Sequence, residues 1–445
     1  MSPTSPGAAP RRLTRQDFRT LALAALGGAL EFYDFIIFVF FAAVIGKLFF
    51  PADMPEWLRL IQTFGIFAAG YLVRPVGGIL LAHFGDLFGR KRVFAFSILL
   101  MSLSTLGMSV MPTYATIGVL APILLIVMRI LQGAAIGGEV PGAWTFVAEH
   151  VPLRRVGFAC GFLTSGLSLG ILLGSSIATV INTVFTPETI EAGAWRIPFL
   201  LGGVFGLVSV WMRRWLQETP VFTEMKESRV LAPELPLKAV LRDHTRGVIV
   251  SMLLTWVLSA AIVVTTLMTA TLLQKLYGYT AQQSLAATSF GTLFLIVSTP
   301  AAGALIDRIG SGRFFVIGGV LFGAATWAFY SYAGTSLALM FALYAVMGLA
   351  VGFVGAVPYV MVRAFPAHVR FSGLSFSYNV AYAIFGGLTP IAVTSMLAVN
   401  PMAHAYYLLF IAALAIALGI YLSLRGSAVE ASAGIEELTL RVAGS

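Results

Sequence analysis

The sequence predicts an all-α membrane protein of twelve transmembrane helices in two repeated halves, and three observations predict it. Apolar runs of roughly 20 residues recur about a dozen times, long enough to cross a bilayer. Nearly every charge lies between those runs, and a short acidic, glycine and basic pattern occurs twice, about half a chain apart. A helix rises about 1.5 Å per residue, so ~20 apolar residues span a hydrocarbon core about 30 Å thick while satisfying their own backbone hydrogen bonds. Charged residues make up only 11% of the 445, mean hydropathy is +0.91, and soluble domains are about a quarter charged.

Polar punctuation places the spans near 20–46, 59–83, 92–111, 116–149, 157–182, 195–215, 247–274, 284–306, 314–333, 337–362, 372–398 and 404–424. The first 18 residues are polar, and the apolar run that follows is too long for a cleaved signal, so it is expected to remain as span one. Twelve crossings put both termini on one side. Twenty-two of the 28 Lys and Arg, among them Arg90, Arg155, Arg214, Arg313 and Arg370, fall at the termini or in the loops of that side, against Lys47, Arg59, Arg196 and Lys275 on the other. The positive-inside rule makes the first side cytoplasmic. The net charge of +9 is therefore spread over loops rather than gathered on a nucleic-acid-binding face, and no nucleic-acid partner is expected. Membrane lipid is the expected surroundings, and the chain is read as a monomer.

The loop after span two carries Asp86, Gly89 and Arg90, and the loop after span eight carries Asp307, Arg308, Gly310 and Arg313. The two aspartates are 221 positions apart and follow the second span of each six-span block. Pro152, Arg155 and Gly157 after span four are echoed by Pro366, Arg370 and Gly373 after span ten. The expected organisation is a tail at 1–19, a six-helix bundle at 20–215, a cytoplasmic linker at 216–246 with a short surface helix near Thr223 to Val230, a second bundle at 247–424, and a tail at 425–445. Two fused repeats with a site between them are the architecture of secondary transporters, whose bundles rock about a midplane site.

Ionisable side chains at bilayer depth are functional candidates by default. Glu31 and Asp34 fall in span one, three residues apart on one helical face; Arg74 falls in span two, and Arg129 and Glu139 in span four. With three carboxylates against two guanidiniums, one carboxylate lacks a partner and is the natural proton carrier. Asp34 or Glu31 is expected in that role, with Glu139 as competitor; the alternative is a fixed ion network holding spans one, two and four together. Arg129 and Arg74 offer planar forks to a carboxylate, unless one is only a counter-ion. Gln132 lies near Arg129 on the same helix, and Tyr33 faces either the site or lipid. The second half supplies neutral groups: Ser375, Tyr378, Asn379 and Tyr382 form a stripe at i, i+3, i+4 and i+7, with Tyr359 and Trp256 as aromatic walls or core. Gly133 and Gly137 form a small-xxx-small pattern suited to close helix packing.

Glu31–Phe35, Leu72–Gly78, Gly85–Arg92, Arg129–Glu139, Ala148–Gly157, Trp195–Phe199, Glu218–Pro220 and Arg370–Pro390 together carry a resemblance to the major facilitator superfamily. Within it the chain resembles the metabolite:proton symporters, bacterial carriers of citrate, 2-oxoglutarate, shikimate, proline and betaine. Ala383–Pro390 is most similar to the citrate and tricarballylate carriers. Departures are Ser311 and Gly312 where a basic pair is usual, and Val140 with Pro141 after Glu139. The resemblance implies a bacterial inner-membrane location and gating roles for Asp86, Arg90, Asp307 and Arg308. The expectation is a proton-coupled symporter importing a small organic anion such as a di- or tricarboxylate by alternating access. The alternatives are a proton-coupled carrier of a zwitterion of betaine or proline type, or a proton-driven exporter. No cofactor beyond the proton gradient and no metal is expected, since the five histidines and Cys160 are scattered and no catalytic constellation converges.

Overall fold

The computed structural model describes the backbone of residues 13–88, 90–212 and 236–443, and the side chains within these except at 81–95, 212, 236, 237, 239, 367, 368 and 425–443. Helices form at each expected crossing. Span one is Arg15–Phe40, opened by a capping box in which Thr14 and Asp17 satisfy each other's backbone N–H groups. It ends earlier than its apolar run suggests, and a separate short helix, Ala42–Phe49, carries the remainder.

Spans two and three are Glu56–Phe88 and Arg90–Ser109. Span four is Leu120–Ile136 continued by Glu139–His150, and span five is Val156–Val184. Span six, Arg196–Met212, follows the short helices around Pro187–Ala194 at a bend of 48°. In the second half, span seven runs Thr245–Tyr277 through a π-helical turn at Val263–Met268. Spans eight and nine are Ala281–Ile309 and Ser311–Tyr332. Span ten is broken by a 3₁₀ turn at Gly352–Ala356, and span eleven by a π-helical turn at Tyr382–Gly386. Span twelve continues as one helix, Ala403–Ala443, through the segment expected to be a tail. The proposed surface helix near Thr223 lies outside the described residues.

Glycines set how close the spans come. A Cβ on Gly133 would overlap the Gly70 carbonyl, and one on Gly137 the Arg74 carbonyl, so spans two and four touch backbone to backbone along the small-residue face. Across the bundles, Gly157 and Gly303 do the same for spans five and eight. Ser289 Oγ donates to Ser175 Oγ at 2.8 Å, and Ser165 Oγ to the Ile296 carbonyl at 2.9 Å, along the same seam.

Polar contacts join the two bundles at both ends. At one end Arg370 Nη1 lies 3.3 Å from Glu149 Oε1, and Arg363 Nη2 donates to the Leu153 carbonyl at 3.2 Å. At the other, Lys275 pairs with Glu56.

Candidate functional site between the bundles

Arg129, Asp34 and Arg74 are each essentially without solvent exposure, but the fold gives them different company. Arg129 is turned into the first bundle. Its Nη1 donates to the Phe35 carbonyl at 3.0 Å and to Gln132 Oε1, and its guanidinium lies 4.3, 4.8 and 5.1 Å from the ring centres of Phe35, Phe38 and Phe67. Gln132 Nε2 in turn donates to the Asp34 backbone carbonyl at 3.0 Å and to Thr105 Oγ1 at 2.7 Å. This network fastens spans one, three and four together.

Asp34 sits beside it, packed against Gly202, where an added Cβ would come within 2.8 Å of its Oδ1. Among the described residues neither carboxylate oxygen has a hydrogen-bond partner, and no ion pair joins Asp34 to Arg129 or Arg74. Arg129 is turned instead toward backbone and amide oxygens and a set of phenylalanine rings. Glu31 accepts from Ser209 Oγ at 2.7 Å, and Glu139 from Ser97 Oγ at 3.4 Å. Both glutamates border one internal cavity, with Gly28, Phe32, Val140 and Leu163 on its walls. Tyr33 is fully buried: its hydroxyl donates to the Pro198 carbonyl at 2.8 Å, which fixes span one to span six rather than to lipid.

Arg74 is the cation that faces the other bundle. Its guanidinium lies 5.3 Å from the Tyr71 ring centre, 5.2 Å from Tyr378 and 5.1 Å from Tyr382. Tyr71 stacks on Tyr382 at 5.1 Å, Tyr382 meets Tyr378 at 4.8 Å, and Trp144 closes edge-on against Tyr378 at 5.1 Å. Nε and Nη2 of Arg74, the Tyr71 hydroxyl and Asn379 Oδ1 have no hydrogen-bond partner among the described residues. The stripe on span eleven thus faces spans two and four: Asn379 Nδ2 donates to the Gly137 carbonyl and, at 3.2 Å, to Ser375 Oγ.

The remaining candidates lie elsewhere. Tyr359 carries the Arg363 guanidinium 4.4 Å from its ring centre. Trp256 stacks on Phe385 at 4.1 Å and donates to Tyr407 Oη at 2.9 Å, a core role within the second bundle. Asp307 accepts from the N–H groups of Gly157 and Phe158, both at 2.9 Å, while Arg308 is exposed. Asp86 and Arg90 have side chains outside the described residues. Tyr71 and Trp144 were not singled out from sequence; Tyr71, three residues before Arg74 on the same helix, was within reach of a helical-face argument.

A two-bundle helical fold with titratable and aromatic groups buried where the bundles meet defines a membrane carrier. The chain belongs to the Major Facilitator Superfamily, whose model matches residues 24–390. It is 32% identical over 421 residues to the proline/betaine transporter of Salmonella typhimurium, covering 90% of this chain and 82% of that protein. It is 30% identical to the glycine betaine/proline/ectoine/pipecolic acid transporter OusA of Dickeya dadantii, covering 91% and 83%. Among solved structures it resembles the proton:xylose symporter XylE bound to 6-bromo-6-deoxy-D-glucose, with TM-score 0.74 at 17% identity over 91% of this chain and 95% of that one. XylE from E. coli in a partially occluded inward open conformation gives 0.69 at 16% identity, over 92% and 97%.

These relatives overturn the expectation of a di- or tricarboxylate cargo, since they are named for proline and betaine. The segment that suggested citrate, Ala383–Pro390, is occupied with packing: Phe385 against Trp256, and Gly386 against the Tyr382 ring.

Proposed function

We propose that this protein is a proton-coupled importer of a zwitterionic solute of the proline or betaine type, working by alternating access as a monomer in the bacterial inner membrane. The observation that carries the choice of cargo is the guanidinium of Arg74 between the bundles. It lies against tyrosines of both halves, whereas Arg129 is turned into the first bundle, its Nη1 held there by the Phe35 carbonyl and Gln132. One fork matches one carboxylate. A di- or tricarboxylate would bring further charges, and each is costly to bury unless it is paired.

Asp34 is the proposed proton site. Its carboxyl group is sealed against Gly202 with no donor on either oxygen among the described residues, so loading a proton removes a charge from a dry place when the bundles close. Glu31 and Glu139, on one shared cavity, are proposed to pass the proton between Asp34 and the end of the bundle that carries Arg155 and Arg370.

The test is uptake of labelled proline, glycine betaine and citrate into cells or proteoliposomes at pH 5.5 and 7.5. Proline or betaine uptake that rises at the lower external pH, and collapses when an uncoupler is added, is expected. Citrate uptake without either zwitterion would remove the assignment.

A further inference from the structure

We infer that Tyr71, Tyr378 and Tyr382 form a binding site for the substituted ammonium group of the cargo, and that Arg74 occupies this site as a built-in substitute while no cargo is bound. The inference rests on the zwitterion reading above and goes further by assigning each end of the cargo to named groups.

Two independent observations point here. Three tyrosine rings from both bundles surround one cationic group at 5.1 to 5.3 Å, a geometry in which ring faces attract any cation of that size and bind quaternary ammonium groups especially well, since these offer no N–H. The guanidinium in this cage is also poorly satisfied: Nε and Nη2 are buried without acceptors among the described residues, and buried donors left unmatched are destabilising. A cargo with a carboxylate next to an alkylated ammonium resolves both. Its ammonium replaces the guanidinium on the ring faces, so the charge in the cage is conserved, and the displaced Arg74 presents its two unmatched nitrogens to the carboxylate. Because span two contributes Tyr71 and Arg74 and span eleven contributes Tyr378 and Tyr382, the occupied cage also ties the two bundles together.

The cage distinguishes cargoes that differ only in methylation. A secondary ammonium such as that of proline has N–H groups to satisfy, and the acceptors without a partner among the described residues include the Tyr71 hydroxyl and Asn379 Oδ1, on the residue after Tyr378. A trimethylammonium group has none and depends on the rings.

The experiment is inhibition of labelled proline uptake by glycine and its N-methyl, N,N-dimethyl and N,N,N-trimethyl derivatives, measured for the wild-type chain, Tyr378→Leu, Tyr382→Leu, Tyr378→Phe and Tyr382→Phe. In the wild type, inhibition should strengthen along the series, by about tenfold from end to end. The leucine variants should flatten that slope, and the phenylalanine variants, which keep the ring face, should restore it. Where a leucine variant has too little uptake to read, a slope restored by its phenylalanine partner supports the cage, and one that phenylalanine does not restore overturns it. If the wild type takes up proline but shows no slope, or the leucine variants keep it, the cage is wrong while the zwitterion assignment stands. If no zwitterion is transported or inhibits, both fall together.

Discussion

Asp307, on the eighth span, caps the amino end of the fifth: its two carboxylate oxygens accept from the N–H groups of Gly157 and Phe158, each at 2.9 Å. This joins the two bundles through a carboxylate on the positive end of a helix, a charge-assisted pairing that is lost whenever they part. Asp307→Asn should therefore loosen that end by about 1 kcal/mol, roughly fivefold in the closed-to-open ratio. Cys160, the single cysteine, is fully buried three residues along the same helix from Gly157. Its rate of alkylation by N-ethylmaleimide is the measurement, and it should rise severalfold in the variant. An unchanged rate would show that the cap does not hold this end shut.

The close contact behind that cap makes a second expectation. A Cβ at Gly303 would overlap the Gly157 carbonyl, so Gly303→Val cannot seat span eight on span five without displacing backbone. Uptake should fall at least about tenfold while solute binding to purified protein persists. Equal loss of both would indicate a folding defect, and normal uptake would mean that the seam does not close during transport.

Asp34 offers a cleaner separation of coupling from binding. Asp34→Asn keeps the volume and removes the titratable group, so accumulation driven by an imposed pH gradient should drop to equilibration, with the inside-to-outside ratio near 1, roughly as expected when no proton is carried. Exchange of labelled for unlabelled solute should continue. Concentrative uptake by the variant would transfer the role to Glu31 or Glu139.

Arg129 is expected to matter for stability rather than for cargo contact. Arg129→Ala empties a pocket walled by Phe35, Phe38 and Phe67 and strips Gln132 Oε1 of its donor. A loss of about 3 kcal/mol is expected, visible as a lower melting temperature in detergent. Arg129→Lys, lacking the planar fork, should recover only part of it. A variant that melts normally but no longer binds solute would place Arg129 at the cargo after all.

The ion pair between Glu149 and Arg370 is largely shielded, with side-chain exposures of 9% and 17%. A double-mutant cycle with Glu149→Gln and Arg370→Gln should give a coupling of about 1 kcal/mol in Cys160 protection, at or above the upper end of what exposed pairs supply. The pair between Glu56 and Lys275 at the opposite end is exposed by 62% and 42%, and its removal should change uptake little at physiological salt.

How far this protein can be read without its fold follows from the range of the interactions involved. The crossings are local properties: a run of apolar residues cannot satisfy its backbone in lipid except as a helix, so helices at all twelve expected positions, the helix junctions at Gly310 and Pro366, and the Gly133–Gly137 packing face were all legible in the chain itself. So was the burial of Glu31, Asp34, Arg74, Arg129 and Glu139, though not that of His404, because an Asp or Arg inside such a run is costly unless it is paired or put to use. What each of them touches is a different kind of fact. Arg74 and Arg129 look alike in sequence, yet one is closed in by phenylalanines of its own bundle and the other by tyrosines from both: Arg129 by Phe35, Arg74 by Tyr378 and Tyr382. Those two tyrosines reach Arg74 across roughly two thirds of the chain, and Asp307 reaches Gly157 across 150 positions. The motif from Ala383 misled about cargo for the same reason, since its side chains answer to Trp256 rather than to a solute. Hydropathy acts within one helix and is written along it, whereas partner choice depends on how helices distant in sequence are packed, and only the assembled bundles decide that.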